Sequence, residues 1–295
     1  MSKQTGAKLR LIFAMTVFGT LGLFIRAIPL PSSVIALVRG AVGSLFLLLV
    51  CALRRTAPDK TAIRRNLKYL LPCGIAMGFN WILLFEAYRY TTVAVATLCY
   101  YLSPVIILLL SPILLKEKLT GLKAGCIAAA LIGMFLVSGV VQSGDSGNFN
   151  FTGIALGLGA AVLYAFIVLL SKQLTDISSY DTTIMELSIS AVVMLVYNFI
   201  TVDFTVLLAC PPVGLVSLAV VAIFHTGVCY ALYFGSLPLL SAQTAALFSY
   251  IDPVVAILLS AIFLHEPMDA LSTVGAVLIL GSTLFGEVME GRKKT

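Results

Sequence analysis

The sequence predicts an all-α integral membrane protein of ten transmembrane helices, arranged as two inverted five-helix repeats. Three observations carry this reading. Hydrophobic residues make up 60% of the chain and charged ones only 11%, with a mean hydropathy of +1.07, so a soluble fold would have too few polar groups to cover its surface. The apolar residues fall in ten runs of about 20 residues, the length a helix needs to cross a hydrocarbon core of roughly 30 Å. Finally, residues 101–118 (YLSPVIILLLSPILLKEK) match residues 250–267 (YIDPVVAILLSAIFLHEP) at nine of eighteen positions, 149 residues apart, as an internal duplication would.

In chain order the runs cover about 9–28, 32–53, 67–88, 93–115, 121–141, 152–172, 182–201, 213–236, 241–264 and 271–288. Helices are expected because lipid cannot satisfy the open edge of a sheet. The repeats divide into residues 1–141 and 151–295, joined by 142–150, QSGDSGNFN, the longest polar run inside the chain. The basic start and first apolar run have no small-residue cleavage site ahead of Pro29 and Pro31, so they read as an uncleaved first span. With the N-terminus placed in the cytoplasm, sixteen of the nineteen Lys and Arg residues fall on that side. The positive-inside rule then makes this a multi-pass protein of the cell membrane with both termini cytoplasmic. Because five is odd, the second half enters from the opposite face, and helices 4 and 9 run antiparallel about an axis in the membrane plane.

The net charge of +6 does not indicate nucleic-acid binding. The basic residues cluster beside apolar runs, at Lys3 to Arg10, Arg54 to Lys68, Lys116 to Lys123 and Arg292 to Lys294, where they set topology and meet anionic lipid. Of the six cysteines, Cys51, Cys73, Cys99, Cys126 and Cys229 lie in apolar runs and Cys210 in a loop. No CxxC pair occurs, and they read as small packing residues.

Each duplicated helix carries a proline near mid-span, Pro104 and Pro253, and Pro112 adds a third. Proline removes a backbone donor and bends a helix. At one place in both halves, it is either a packing kink or the interruption that marks a central site in transporters. Glycines gather on the fifth, sixth and tenth helices (Gly121, Gly125, Gly133; Gly153, Gly157, Gly159; Gly275, Gly281). They suit close packing within one chain or between two, which leaves monomer and homodimer both open.

Ten helices in two halves, each with a Pro in its fourth helix and a Glu at that helix's end (Glu117, Glu266), resemble the drug/metabolite transporter superfamily of EamA type. Val17-Phe18-Gly19 stands where that family often has Trp-Gly, and Arg39 where its second helix often has Arg. AYRYTTVAVATL at 87–98 resembles its turn between the third and fourth helices. The resemblance covers nearly the whole chain and implies transport of amino acids, amines or related metabolites, often as export. Phe18 departs from the pattern, so no role of the family's Trp transfers to it.

Ionisable groups at membrane depth cost several kcal/mol unless they pair or line a wet cavity. Arg39 falls about 10 Å from the end of helix 2 at 1.5 Å per residue and Glu86 near the same end of helix 3. An ion pair between them would either hold the two helices together or belong to a site. His225 and Asp252 fall midway along helices 8 and 9, where they form either a hydrogen-bonded core pair or a proton-coupling element. Trp81, Tyr101, Tyr230 and Tyr250 are also mid-span, unlike interface anchors, and suit the wall of a cavity for a small amphipathic or cationic metabolite.

The expected function is therefore a secondary transporter, an exporter of a small organic metabolite such as an amino acid or amine, working by alternating access. Trp81, Tyr101, Tyr250, Tyr230, Arg39 and Glu86 would bind substrate, His225 and Asp252 would couple to protons, and Pro104 and Pro253 would kink the helices. No GxxxxGK[ST] pattern is present, so ATP hydrolysis is not expected. The alternative, a membrane-embedded enzyme acting on a lipid or peptide, lacks an HExxH, a GxSxG and an acidic cluster. No catalytic residue, metal or cofactor is expected, and the partners are the small-molecule substrate and membrane lipid.

Overall fold

The computed structural model describes residues 3–114, 121–137, 151–203, 205–236, 239–240, 248, 251–266 and 268–293, and regular structure among them is helical. Helical stretches long and apolar enough to cross a membrane cover Lys3–Arg26, Ser32–Leu53, Lys60–Tyr90, Phe151–Ser171, Ser179–Thr201 and Pro212–Ser236. Shorter apolar helices cover Val93–Ile107, Ala124–Leu136, Ile251–Phe263 and Ala270–Ser282, within the fourth, fifth, ninth and tenth predicted spans. The chain is thus a multi-pass membrane protein. Its outward-facing Leu45, Leu49, Phe199, Ile200, Ile262 and Val277 form a surface that only lipid would cover.

The first span is two helices, α1 (Lys3–Gly19) and α2 (Leu21–Arg26), that meet at Thr20. Pro29 and Pro31 separate α2 from α3 (Ser32–Leu53). Helix α4 (Lys60–Tyr90) begins seven residues before the apolar run, because the Asp59 side chain accepts from the N–H groups of Thr61 and Ala62 at 2.9 and 3.0 Å. Hydropathy detects where lipid begins, whereas the cap decides where the helix begins. The fourth span divides into α5 (Val93–Tyr100) and α6 (Ser103–Leu114). The break at Tyr101 and Leu102 falls just ahead of Pro104, whose ring excludes helical geometry from the turn before it. Then comes α7 (Gly121–Val137).

The second half runs through α8 (Phe151–Ser171), α9 (Ser179–Thr201), a single turn α10 (Thr205–Leu208) and α11 (Pro212–Ala219). Helix α11 continues into a π-helical stretch, Val220–Val228, and α12 (Cys229–Ser236). The chain ends with α13 (Ile251–Phe263), in which Pro253 is the third residue, and α14 (Ala270–Lys293). Ser178 caps α9, accepting from the Asp181 N–H at 3.0 Å.

Helix α4 lies along α8 and α9, α3 along α9 and the π-helical stretch, and α7 along α14. Helix α1 lies along α12 and α13, α8 along α5 and α6, and α5 meets α13. In lipid no hydrophobic gain drives such pairings; close van der Waals contact and interhelical hydrogen bonds do. The Asn80 side chain of α4 donates to the Ala160 carbonyl of α8 at 2.6 Å, and Ser33 and Asn198 exchange two bonds between α3 and α9. Each such bond contributes about 0.6 kcal/mol on average in a membrane.

Glycine is required where backbones touch. A Cβ on Gly133 would stand 2.6 Å from the Gly275 carbonyl, and one on Gly19 would stand 2.7 Å from the Asp252 carbonyl. Gly121, also in α7, has nothing within 4 Å. Gly133→Leu is therefore expected to lower the thermal unfolding midpoint in detergent, by the 1–3 kcal/mol that overpacking costs, roughly. Gly121→Leu should leave the midpoint unchanged. Equal midpoints for the two variants would contradict the α7–α14 contact.

Candidate functional site

The helix irregularities meet at one place. Thr20, the joint between α1 and α2, lies beside His225 in the π-helical stretch, with Oγ1 and Nε2 2.8 Å apart. Gly19, its neighbour, lies against the first turn of α13 at Asp252. Asp252 Oδ2 in turn accepts from the Tyr101 hydroxyl at 2.9 Å, and Tyr101 is the residue at which the fourth span breaks. Local side chains add hydrogen bonds to the backbone at these breaks. The Thr20 hydroxyl donates to the Val17 carbonyl at 2.8 Å and the Thr226 hydroxyl to the Val221 carbonyl at 3.1 Å.

His225 is buried. Its Nε2 lies 2.8 Å from the Thr20 hydroxyl and its Nδ1 3.3 Å from the Val220 carbonyl, so the ring bridges the α1–α2 joint and the π-helical stretch, and a protonated ring would donate to both. Asp252 and His225 were expected to lie side by side as one titrating pair. Among the described residues they hold different partners and meet the α1–α2 joint separately, one through Gly19 and the other through Thr20.

Arg39 is buried on α3. Its guanidinium lies 4.2 Å from the Trp81 ring centre and 5.4 Å from that of Phe85, and Nε donates to Thr226 Oγ1 at 2.9 Å. The expected Arg39–Glu86 ion pair does not form. Glu86 sits a full two turns nearer the end of the bundle, where it accepts from Ser32 at 2.6 Å and pairs with Arg89 at 3.4 Å. Arg39 has no carboxylate within ion-pair distance among the described residues.

Tyrosines join these groups. Tyr88, Tyr100 and Tyr230 lie within electrostatic range of Arg39, and Tyr100, Tyr164 and Tyr230 within range of Asp252. Tyr100 and Tyr164 pack ring to ring at 5.4 Å, and Tyr230 meets Phe18 edge-on at 5.6 Å. Of the predicted residues, the structure brings together Arg39, Trp81, Tyr101, Tyr230, His225 and Asp252, with Glu86 apart from them. Tyr250, like Glu117, lies outside the described residues, and of Pro104 only the backbone is described.

Sequence reasoning missed Glu186. The apolar run was drawn from residue 182, which put Glu186 near its edge, whereas α9 starts at Ser179 and takes Glu186 about 10 Å along its axis at 1.5 Å per residue. A single acidic residue in IMELSISAVVMLVY was the available signal. Glu266, expected to tie a helix end to a loop, joins three segments at one end of the bundle. It pairs with Arg26 at 2.7 Å, accepts from the Val93 N–H at 2.9 Å and accepts from the Ser260 hydroxyl. Its charge thus sits at the positive N-terminus of α5. Arg26 also donates to the carbonyls of Tyr88 and Thr91.

The geometry around Arg39 has a spectroscopic consequence, because Trp81 is the one tryptophan of the chain. Arg39→Lys keeps the charge but loses the planar face over Trp81 and the Nε bond, so it should shift the Trp81 emission and lower the thermal midpoint. The charge-assisted bond alone is worth about 1.5–3 kcal/mol. Thr226→Val should lower the midpoint and leave the emission as it is. Unchanged emission in Arg39→Lys would refute the stacking.

The EamA-like transporter family matches this chain twice, over residues 7–139 and 151–285. An uncharacterized transporter of Bacillus subtilis, YxxF, is 30% identical over 279 residues, which is 94% of this chain and 88% of that protein. An uncharacterized transporter of Clostridium kluyveri is 26% identical over 224 residues, 74% of this chain and 72% of its own. One crystal structure, 19% identical, superposes over 96% of this chain and 98% of its own with a TM-score of 0.64, a likeness of fold alone. With both matched stretches lying across the apolar helices, and with a buried polar centre between them, the chain belongs to the EamA-like transporter family.

Proposed function

We propose that this protein is a ten-helix secondary transporter that exports a small organic metabolite, such as an amino acid or amine, across the cell membrane by alternating access. Residues 1–141 and 151–295 act as inverted halves with both termini cytoplasmic, joined by 142–150. The observation that carries this reading is the meeting of three helix interruptions, at Thr20, at Tyr101–Leu102 and along Val220–Val228, around Asp252 and His225. Non-helical backbone at membrane depth is tolerated where it lines a cavity, and discontinuous helices build the midplane sites of transporters.

The packing supports the inverted arrangement. Exchanging the first five predicted spans for the second five turns the most extensive helix pairings into others that occur. The third with the sixth becomes the eighth with the first, and the third with the seventh becomes the eighth with the second. The first with the ninth becomes the sixth with the fourth, while the pairs 2–7, 4–9 and 5–10 map onto themselves. The family's two matches, one to each half, support it as well.

In this reading Trp81, Tyr101 and Tyr230 wall the substrate site and Arg39 holds an anionic or polar group. Proton movement acts on Asp252 through its bond to Tyr101 and on His225 through Thr20. When Asp252 takes up a proton, its bond with Tyr101 changes from one made to a charged acceptor to one between neutral groups, which loosens the fourth span from the ninth. Purified protein in liposomes should carry amino acids or amines, and a pH gradient should drive net flux. In Asp252→Asn the gradient-driven flux should fall at least tenfold while counterflow exchange persists. Full gradient-driven flux in that variant would reject Asp252 as the coupling group.

A further inference from the structure

Helix α4 starts well outside the apolar part of its own span, and its first turns carry positive charge that the described residues leave unmatched. Lys60, Arg64 and Lys68 recur every fourth residue, so they share one face of the helix, and all three are exposed. Lys60 and Arg64 have neither a hydrogen bond nor an ion pair among the described residues. The Lys68 ammonium lies 4.7 Å from the centre of the Tyr69 ring. The carboxylate next to them in sequence, Asp59, accepts from the Thr61 and Ala62 N–H groups, so those backbone donors are already spent and the side chains alone face outward.

Other groups hold this stretch in place. Arg65 pairs with Asp176 at 3.0 Å and donates to the Thr175 carbonyl at 3.1 Å. Asn66 exchanges two bonds with the backbone of Thr175, at 2.9 and 3.0 Å. The connection between α8 and α9 thus fixes one side of the extension, while the other presents its cations. A cleft of about 460 Å³ is lined there by Lys60, Thr61, Arg64 and Arg65. Towards the membrane the face of Arg64 continues into Leu67 and Leu71, both exposed. At 1.5 Å per residue Arg64 stands about 5 Å beyond Leu67 and Lys60 about 10 Å, which spans the polar layer of roughly 5–8 Å that flanks the hydrocarbon.

We propose that this face of α4 binds one anionic phospholipid, with the phosphate held by Lys60 and Arg64 and the acyl chains laid along Leu67 and Leu71. Charge selects the headgroup, because a phosphate oxygen accepts charge-assisted hydrogen bonds from both cations. A zwitterionic headgroup would bring its own cation into the same field, and a free phosphate would leave the leucines uncovered. Basic residues beside a membrane attract anionic lipid diffusely. Here the cleft and the fixed helix extension confine that attraction to a single molecule.

Native mass spectrometry of the full-length protein in detergent counts bound lipids and gives the affinity of the first. The probes are phosphatidylglycerol and phosphatidylcholine with identical acyl chains, and glycerol 3-phosphate. Wild type should bind one phosphatidylglycerol about thirtyfold more tightly than one phosphatidylcholine, at about fivefold for each of two cations. Lys60→Gln combined with Arg64→Gln should abolish that difference and leave phosphatidylcholine binding unchanged. Lys3→Gln combined with Lys8→Gln removes the same charge from exposed positions on α1 and should preserve it. Glycerol 3-phosphate, lacking acyl chains, should bind at least roughly tenfold more weakly than phosphatidylglycerol. The proposal is overturned by no preference in wild type, by a preference that survives the Lys60 and Arg64 substitutions, by an equal loss in the Lys3 and Lys8 variant, or by glycerol 3-phosphate binding as tightly as the lipid.

Discussion

A guanidinium buried in an apolar bundle must find its solvation within the protein, and much of this structure follows from how Arg39 finds it. Trp81 and Phe85 of α4 offer ring faces and Thr226 offers one oxygen. Because Thr226 lies in the π-helical stretch, Arg39 couples α3 and α4 to the one span whose backbone departs from α-helical pairing. π-Helical turns of this kind are rare and recur at functional sites. Here the turn brings His225 to Thr20 and Thr226 to Arg39 on successive residues. The same need for internal partners explains Glu266, which collects Arg26, Val93 and Ser260 where the chain leaves α13.

The interruptions are mutually dependent. Each frees backbone groups that hydrocarbon cannot satisfy, and each is adjacent to a side chain from another interrupted span. The joint at Thr20 rests on His225 and on the first turn of α13, while the break at Tyr101 rests on Asp252. Gly19 permits this, since any Cβ there would collide with the Asp252 carbonyl. Such a set of joints resists lipid while keeping fewer backbone bonds along each helix, a combination that suits elements which must bend. The long unbroken helix α4 packs on α3, α8 and α9, and α3 packs on α9; together they frame those joints.

How much of this was legible in the sequence depended on whether the signal was polarity or direction. Arg39, His225 and Asp252 stand out because a charge in an apolar run is conspicuous, and all three lie in the centre. The start of α4 was hidden, since it is decided by Asp59 and not by hydropathy. The Arg39–Glu86 pairing failed for a related reason. Glu86 lies level with Ser32 and Arg89, two turns from Arg39, and those nearer partners take its carboxylate. Glu186 was lost to a boundary drawn three residues late. The π-helical stretch VVAIFHTGV contains no proline, and its signal resides in tertiary partners that no local pattern displays.

The central claim, that two halves rock about the joints at Thr20, Tyr101 and the π-helical stretch, is tested most directly by distances at the two ends of the bundle. Spin labels at Tyr90 and Val213 report the end that carries Glu266, and labels at Arg55 and Lys172 report the other. All four positions are exposed. Arg26→Ala removes the ion pair to Glu266 and its bonds to Tyr88 and Thr91, releasing the first end alone. Rocking predicts that the Tyr90–Val213 distance then lengthens while the Arg55–Lys172 distance shortens in the same sample. Lengthening at the first end with no change at the other, or lengthening at both, would contradict it.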